Sequence, residues 1–400
     1  MSGTFRLALI AMLATSQIIG WGTTFYVPAV LADDMARDLG IAREAVFLGV
    51  TLMVTVGALA SPLCGRLMDR VGASTFMPIG SLLIGAGLMG FGVLPTLASA
   101  LLATTLFGVA MPFALSLAAP TLLAQLSGRD ARRNIALMML FTGLSSSVFW
   151  PITSSLAQAF AWRGAILSLA AINLLLALPL NAVIARLVSR AGPSQRRGDW
   201  PAPLPPRITS GDLRRRAQWL MVAAFSLQGL ASWGLPLHTI AMFEELGVGS
   251  TSAVAIAALN GPAQIAARLA EIALAGRVQP LTTAIIAAAH IPLACVLLLA
   301  PLNPVTAALG FTMIFFGANG AMSIVRATLP LALLGSAGYG ALMGKLALPQ
   351  NLMFAAAPSL FAVILRSLGS AGATLVTIAL SLAALACVVW LAFSVASERR

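Results

Sequence analysis

Few charged side chains lie inside the long apolar stretches of this sequence, and each of them could bind a ligand. Arg326 has no carboxylate near it in sequence, whereas Arg268 and Glu271 stand one helical turn apart and can neutralise each other. Lys345 lies near the start of another apolar stretch. Because a charge in apolar surroundings is costly and marks a functional position by default, Arg326 is a candidate for binding a ligand. Two alternatives remain open, an ion pair with another helix and extension of the side chain to lipid headgroups.

Uncharged polar and aromatic side chains recur near the middle of the other apolar stretches. Amides and indoles can hydrogen-bond a small ligand while apolar walls enclose it, although each could equally bond to a neighbouring helix. One of them, His238, could also carry a proton near neutral pH. The candidates for ligand contact, besides Arg326, are Gln17, Trp21, Tyr26, Gln228, Trp233, His238, Asn260, Gln264 and Asn319.

Patterns typical of catalysis or of metal binding do not accompany these residues. Cys64, Cys295 and Cys387 lie singly in apolar stretches, without the spacing of metal ligands or of a disulfide framework. The chain also has no phosphate-binding loop and no cluster of His and carboxylate residues. We therefore expect a protein that is not an enzyme and that needs no metal or cofactor.

The composition places these residues in a lipid bilayer. The 400 residues are 59% hydrophobic and only 9% charged, whereas a soluble domain has roughly 25% charged residues. So few charges cannot cover a surface that faces water. The net charge of +12 could indicate nucleic-acid binding, but the basic residues stand at the ends of apolar stretches and form no basic face, so no nucleic-acid partner is expected.

Twelve apolar stretches are separated by charged or turn residues, and each can supply the roughly 20 residues of a spanning helix. The first has no clear cleavage site and is interpreted as a span, not as a signal peptide. Short connections predict antiparallel neighbours in an all-α membrane protein. The predicted spans are TM1 7–31, TM2 44–66, TM3 75–94, TM4 97–124, TM5 134–159, TM6 163–187, TM7 217–242, TM8 251–273, TM9 280–301, TM10 304–333, TM11 341–365 and TM12 370–395.

One long connection, rich in proline and arginine, divides the spans into two groups of six. Its composition argues against a packed core, and its arginines are expected near anionic headgroups. The predicted organisation is an N-terminal six-helix bundle (1–187), a cytoplasmic linker (188–216) and a C-terminal six-helix bundle (217–400). With the N-terminus in the cytoplasm, 17 of the 24 basic residues are cytoplasmic, which predicts a multi-pass protein of the inner (plasma) membrane with both termini cytoplasmic.

The two halves share short patterns in the same order. Ser-Gln-Ile-Ile-Gly-Trp-Gly at 16–22 in TM1 corresponds to Gln-Gly-Leu-Ala-Ser-Trp-Gly at 228–234 in TM7. Gly-Arg-Leu-Met-Asp at 65–69 in TM2 corresponds to Ala-Arg-Leu-Ala-Glu at 267–271 in TM8. Such internal repeats predict two pseudo-symmetric halves.

Residues 65–72, at the turn between TM2 and TM3, read Gly-Arg-Leu-Met-Asp-Arg-Val-Gly. They resemble the signature G-x-L-x-D-R-x-G of the major facilitator superfamily, which lies in the same loop of a twelve-span chain. The basic residues that usually follow the signature are absent, and so is the basic span-4 motif of the drug/proton antiporters. The conserved positions of the signature are occupied here by Gly65, Asp69, Arg70 and Gly72.

The resemblance implies a secondary transporter that works by alternating access, acts on a small-molecule substrate and functions as a monomer. The Gly-Trp-Gly of TM1 is similar to that of the bacterial, monocarboxylate-type branch. Because Arg268, Arg326 and Lys345 outnumber Glu271 among the intramembrane charges, we expect a small organic anion as substrate. An efflux pump for drugs or other toxic compounds is the alternative. Protons, if they are coupled, would travel on the substrate, on Glu271 or on His238.

The signature also predicts a gate. Asp69 stands where TM2 leaves the membrane and TM11 enters it, and a carboxylate at a helix N-terminus is stabilised by roughly 0.3–1 kcal/mol. Lys345, in the first turn of TM11, could add an ion pair. By the repeat, Glu271 is expected to face the arginines at 132–133. Both contacts would close the cytoplasmic side, whereas in the alternative reading Asp69 and Arg70 only fix the loop.

Overall fold

The structure is a computed structural model that describes residues 3–190, 204–274 and 277–398. In this part of the chain the α-helices are joined by short turns, by two π segments (Met111–Ser116 and Asn173–Ala177) and by two 3₁₀ segments (Gly128–Asp130 and Leu235–His238). The helices are α1 Gly3–Gly22, α2 Pro28–Leu39, α3 Arg43–Val71, α4 Ala73–Val93, α5 Leu97–Ala110, α6 Ala118–Leu126, α7 Ala131–Thr142, α8 Ser145–Ile172, α9 Leu178–Arg190, α10 Gly211–Gly234, α11 Thr239–Glu245, α12 Ser250–Ala258, α13 Asn260–Leu274, α14 Pro280–Leu299, α15 Pro304–Leu334 and α16 Tyr339–Ser397.

The predicted all-α membrane fold is confirmed. Nine helical runs among the described residues are long and apolar enough to cross a membrane, or ten when α10 and α11 count as one bent span. Two of the nine have 63 and 59 residues, far more than the roughly 20 that one crossing needs. Each is broken by one residue with a positive φ, Ala161 (55°) and Gly369 (65°). These breaks fall between the predicted TM5 and TM6 and between TM11 and TM12, so each of the two runs is long enough for two spans, which agrees with twelve predicted spans among the described residues.

Local chemistry fixes where several spans begin. At the start of α5, Thr96 Oγ1 accepts from the Ser99 N–H at 3.2 Å, and Ser99 Oγ accepts from the Thr96 N–H at 3.0 Å. At the start of α15, Asn303 Oδ1 accepts from the Val305 N–H at 3.0 Å, and Pro304 occupies the first turn. These side chains satisfy N–H groups that a helix end leaves without partners.

The chain divides into two compact units. Unit 1 contains 1–204 and 336–348, and unit 2 contains 205–335 and 349–400. In unit 1, small residues let the helices approach each other closely. A Cβ on Gly80 of α4 would lie 2.8 Å from the Ala114 Cβ, and one on Gly57 of α3 would lie 2.6 Å from the Met111 sulfur.

Unit 2 has an aromatic core. Phe311 and Phe315 of α15 stack with their centroids 4.8 Å apart, and Phe243 of α11 meets Phe311 edge-on at 6.0 Å. Cys295 of α14 is buried in the same cluster. The core therefore joins α11, α14 and α15 through rings that are almost completely buried.

The C-terminal end of the predicted linker is packed, although the composition of the linker argued against a packed core. Residues 191–203 lie outside the described residues, but Ile208 is buried and its N–H donates to the Leu333 carbonyl at 3.0 Å. Ser210 caps α10, which begins at Gly211, before the predicted start of TM7 at 217. The carbonyls at the end of α15 supply the packing partners, which composition alone does not reveal.

Candidate functional site

Arg326 lies in unit 2, and its side chain rests on an aromatic ring. Its guanidinium carbon is 5.1 Å from the centroid of the Phe354 ring, a distance at which a cation is attracted to the face of the ring. Within the described residues, Arg326 forms no hydrogen bond or ion pair, and its Nε is buried without an acceptor. An aromatic ring therefore positions a cation whose donors are available to a ligand.

The ring beneath Arg326 is held by α10. Phe354 of α16 stacks on Trp233 with centroids 4.7 Å apart and planes 8° apart. A Cβ on Gly229 would lie 2.2 Å from a Phe354 ring carbon, so the absence of a side chain there gives the ring its place. Trp233 was a predicted candidate, but Phe354 was not, because a single Phe in an apolar span gives no signal in the sequence. We name Trp233, Phe354 and Arg326 the cation–aromatic stack.

A hydrogen bond fixes α10 against α15 beside this stack. Ser232 Oγ donates to Asn319 Oδ1, so the predicted candidate Asn319 is tied to α10. Gln228 precedes Ser232 by four residues and therefore shares its face of α10, whereas Arg326 follows Asn319 by two turns on α15. The two helices are the first and fourth spans of their half and run antiparallel. Gln228 and Arg326 thus lie on the same side of the Ser232–Asn319 contact.

Gln228 is another buried donor of unit 2 without a partner in the described part of the chain. Its side chain is only 1% exposed, and its Nε2 has no acceptor among the described residues. Side chains of a helix point towards the helix N-terminus, which directs Arg326 back towards the level of Gln228. Two unsatisfied donors on facing helices, next to an aromatic wall, form an arrangement suited to an anionic group.

Three other candidates form a ladder along α13. Gln264 Nε2 donates to Asn260 Oδ1 at 3.2 Å, and Arg268 Nη2 donates to Gln264 Oε1 at 3.3 Å. A Cβ on Gly320 of α15 would lie 2.6 Å from the Gln264 carbonyl oxygen, so α13 and α15 are in close contact. Glu271, one turn beyond Arg268, is buried. Unlike Arg326, Arg268 is held by a neighbour on its own helix.

His238 lies at the bend of the seventh predicted span. It ends the 3₁₀ segment between α10 and α11, whose axes differ by 64°. Its Nε2 is buried without a partner in the described part of the chain. Pro236, which has no N–H to continue the helical ladder, lies in the same segment. The Nε2 atom is thus available to a ligand.

In unit 1 the corresponding polar groups are used within the protein. Gln17 Nε2 donates to the Ala114 carbonyl at 2.6 Å, and Trp21 Nε1 donates to the Leu115 carbonyl at 3.0 Å. Both carbonyls belong to the π segment Met111–Ser116, where the helical bond pattern is interrupted. The fourth span of unit 2, α15, has no such segment. In unit 2, Gln228 stands one position before Gly229, the residue that aligns with Gln17, a shift that rotates the side chain by about 100° around the helix, and its Nε2 has no acceptor among the described residues.

Tyr26, the remaining candidate in the first span, belongs to an aromatic group. Its ring meets Phe25 edge-on at 5.3 Å and Trp150 at 6.3 Å. Phe25 in turn meets Trp21 edge-on at 5.6 Å. The candidates Trp21 and Tyr26 are therefore brought together through Phe25.

The signature residues join α3 to the first turn of α16, both within unit 1. The two carboxylate oxygens of Asp69 accept from the N–H groups of Gly340 (2.9 Å) and Ala341 (2.6 Å). A Cβ on Gly65 would lie 2.1 Å from the Gly340 carbonyl oxygen, so only glycine fits there. Lys345 is exposed and forms no ion pair with Asp69. The backbone of α16, not Lys345, thus holds the carboxylate.

The other two signature positions lie at the end of α3. Gly72 has a φ of 104° and separates α3 from α4, which starts at the next residue. A side chain would strain this conformation. Arg70 is exposed beside it. These residues set the turn that places Asp69.

Comparison with known proteins agrees with this architecture. Residues 12–330 match the sequence profile of the Major Facilitator Superfamily. The structure resembles the transporter FucP in its outward conformation, at 13% identity and a TM-score of 0.69, covering 96% of this chain and 98% of that one. It equally resembles the proton:xylose symporter XylE bound to 6-bromo-6-deoxy-D-glucose, at 13% identity and a TM-score of 0.69, covering 95% of this chain and 94% of that one.

A variant of the E. coli fucose:proton symporter FucP also matches, at 13% identity and a TM-score of 0.64, over 96% of this chain and 99% of that one. At this level of identity, a likeness between structures shows the fold alone. No curated protein sequence matches the chain. The family profile, however, covers well over half of it, and the chain therefore belongs to the major facilitator superfamily of membrane transporters.

Proposed function

We propose that the protein is a secondary active transporter that carries a small organic anion by alternating access. The observation that carries this proposal is Arg326, a cation within a spanning helix whose guanidinium rests on Phe354 and has no carboxylate partner in the described part of the chain. A charge in a membrane span is costly without a counter-charge. An anionic substrate supplies that counter-charge each time it binds.

The geometry around Arg326 suits a carboxylate. A guanidinium binds a carboxylate through two parallel hydrogen bonds, and the amide of Gln228 can donate a further one. Trp233 and Phe354 form a flat apolar wall for the body of the substrate. This combination favours a compact organic acid with one anionic end and one apolar end.

Protons are the coupling ion that we propose. Two of the similar structures are proton symporters, and here the imidazole of His238 has a buried Nε2 without a partner among the described residues. A proton carried by His238, by Glu271 or by the substrate itself would compensate the charge of the anion. The protein would act as a monomer, without catalysis.

The organisation proposed for the chain follows from its spans and charges. Bundles of six helices (1–187 and 217–400) flank the linker 188–216, and both termini lie in the cytoplasm of a cell whose inner membrane holds the protein. Asp69, bound to the first N–H groups of α16, would close the cytoplasmic side and release those groups on inward opening.

An efflux pump for drugs or other toxic compounds is the second candidate. The stacked rings of Trp233 and Phe354 favour it, because lipophilic compounds bind to apolar aromatic surfaces. In that case Arg326 would stabilise the stack and would not contact the substrate. The two candidates differ in the role of one side chain, which makes them separable.

A thermal-shift screen of the purified protein tests the proposal. The panel holds small carboxylates, inorganic oxyanions, sugars and lipophilic drugs, because a bound ligand raises the melting temperature by mass action. We expect a carboxylate to stabilise the wild type, to stabilise Arg326→Lys less and to leave Arg326→Ala unchanged. If lipophilic or neutral compounds stabilise the wild type and Arg326→Ala equally, the anion proposal is wrong and efflux is favoured.

A further inference from the structure

Unit 1 contains a cavity that the candidate site does not use. It has a volume of about 400 Å³ and lies between α2, α3 and α5, with α4 and α8 at its inner end. Its inner wall includes Met53, Leu88 and Phe91, all of which are buried. A space of this size falls within the range of ligand pockets, about 300–1,000 Å³.

The cavity offers a ligand no free side-chain donor among the described residues. Its polar side chains are threonines, and each hydroxyl already donates to a carbonyl one turn earlier in the chain. Thr23 bonds to Ile19 at 2.8 Å, Thr24 to Gly20 at 2.6 Å and Thr104 to Ala100 at 2.9 Å. A water molecule needs two or more polar partners to be stable in a cavity. The occupant must therefore be apolar.

The open side of the cavity lies on the membrane-spanning surface. Leu48 of α3 and Leu101 of α5 line it and are 60% and 49% exposed. Both belong to spans, so the molecules that cover such leucines in a bilayer are lipid acyl chains. The cavity is continuous with that lipid-covered surface, and a chain can enter it without leaving an apolar environment.

The turn beside the opening is electrically balanced. Arg43 pairs with Asp33 at 2.8 Å, and Arg37 pairs with Asp34 at 3.1 Å. These pairs leave no excess positive charge to select an anionic headgroup. These contacts favour recognition of the acyl chain, which would fill space whose walls otherwise lack van der Waals partners.

We propose that this cavity binds one acyl chain of a membrane phospholipid, which enters between α3 and α5. The site is separate from Arg326 and does not rest on the proposed transport of an anion. A bound chain would be part of the packed structure of unit 1 and would link its stability to lipid. Removing the lipid should then loosen α3 against α5.

Native mass spectrometry tests this proposal with protein stripped in detergent and then supplied with dioleoylphosphatidylethanolamine. Ala100 lines the cavity, and Leu102 on the same helix is lipid-exposed and does not line it. We expect the wild type and the control Leu102→Trp to retain one lipid after the others are removed. Ala100→Trp should lose that lipid, because the indole fills the space.

A second variant and a second measurement guard against a folding defect. Ala45→Phe fills the cavity from α3 and should also lose the retained lipid. Both filled variants, Ala100→Trp and Ala45→Phe, should melt at a higher temperature than the wild type stripped of lipid. Adding the lipid should raise the melting temperature of the wild type and not that of the filled variants. Retention of the lipid by both filled variants, or no retained lipid in the wild type, would overturn the proposal.

Discussion

Asp38 at the end of α2 accepts a 2.8 Å hydrogen bond from the indole Nε1 of Trp162, the residue that follows the break at Ala161. Arg163 adds a second bond to the same oxygen at 3.0 Å. Unit 2 has the corresponding contact, since the Ser370 hydroxyl donates to Glu245 directly after the break at Gly369. Each half thus ties the end of its first span to the turn between its fifth and sixth spans, and the repeat seen in the sequence extends to these contacts.

Replacing Asp38 should lower the stability of the protein. Asp38→Ala leaves the nearly buried Trp162 N–H without its acceptor, and we expect a loss of about 1 kcal/mol, because the carboxylate is partly screened by solvent. Thermal melting in detergent measures the change. Asp33→Ala, which removes only an exposed pair with Arg43, is the control. Equal losses in the two variants would show that the Trp162 contact contributes nothing of its own.

The two breaks should respond oppositely to substitution. Ala161 has φ 55° and ψ 176°, a region that is almost restricted to glycine and costs other residues about 1–3 kcal/mol. Ala161→Gly should therefore stabilise the protein by about 1 kcal/mol after the greater entropy of the unfolded chain is deducted. Gly369→Ala, with φ 65° and ψ −176°, should destabilise it. A lower melting temperature of Ala161→Gly would contradict this assignment.

The first spans of the two halves each carry a buried glutamine, one position apart in the aligned repeat, and this pair separates a structural glutamine from a ligand-binding one. Gln17→Leu breaks a 2.6 Å bond to the Ala114 carbonyl and should cost about 1 kcal/mol. Gln228→Leu removes a buried amide whose Nε2 has no acceptor in the described part of the chain, so the protein without ligand should be as stable as the wild type or more so.

Ligand binding should be weakened by Gln228→Leu and not by Gln17→Leu, the opposite of the order expected for stability. The carboxylate that most stabilises the wild type should stabilise Gln228→Leu less, with a dissociation constant raised about tenfold for one lost hydrogen bond of roughly 1.4 kcal/mol. It should stabilise Gln17→Leu as much as the wild type. Titration by thermal shift gives both values. If Gln228→Leu binds the carboxylate normally, the amide is not part of the site.

Gly65→Ala and Asp69→Asn should both weaken the proposed gate and favour opening on the cytoplasmic side. In Gly65→Ala, the added methyl group would push the Gly340 carbonyl away. In Asp69→Asn, the amide NH₂ would face one of the two N–H groups whose hydrogen bonds Asp69 now accepts. Both changes should increase cytoplasmic labelling of a single reporter cysteine in a background without the native cysteines. Gly90→Ala, whose Cβ meets nothing within 4 Å, should label like the parent protein. Unchanged labelling in Gly65→Ala and Asp69→Asn alike would refute the gate.

The spans and the signature could be predicted from the sequence because they depend on local properties. Apolar stretches of sufficient length must cross the membrane, and even the breaks at Ala161 and Gly369 fall between predicted spans. Arg326 was recognisable because an isolated charge in an apolar stretch is rare. These features need no knowledge of which helices are neighbours.

The partners of the candidate residues could not be predicted, because they lie on other helices. Phe354 is one of 18 phenylalanines, and its role depends on Gly229 on α10. Gln17 and Gln228 stand one position apart in the aligned repeat, and only the first has an acceptor for its Nε2 among the described residues. Lys345 seemed suited to pair with Asp69 by its position, but backbone N–H groups lie closer. Each difference is a matter of tertiary packing.

The π segment Met111–Ser116 has a consequence for how the two halves diverged. A bulge of this kind amounts to one extra residue in a helix, and one residue corresponds to a rotation of about 100°. Every side chain of α6 therefore faces a different neighbour from the one that a continuous helix such as α15 would give it. A shift of phase within a single span, and not only substitution, can thus give two copies of one ancestral bundle different inner surfaces.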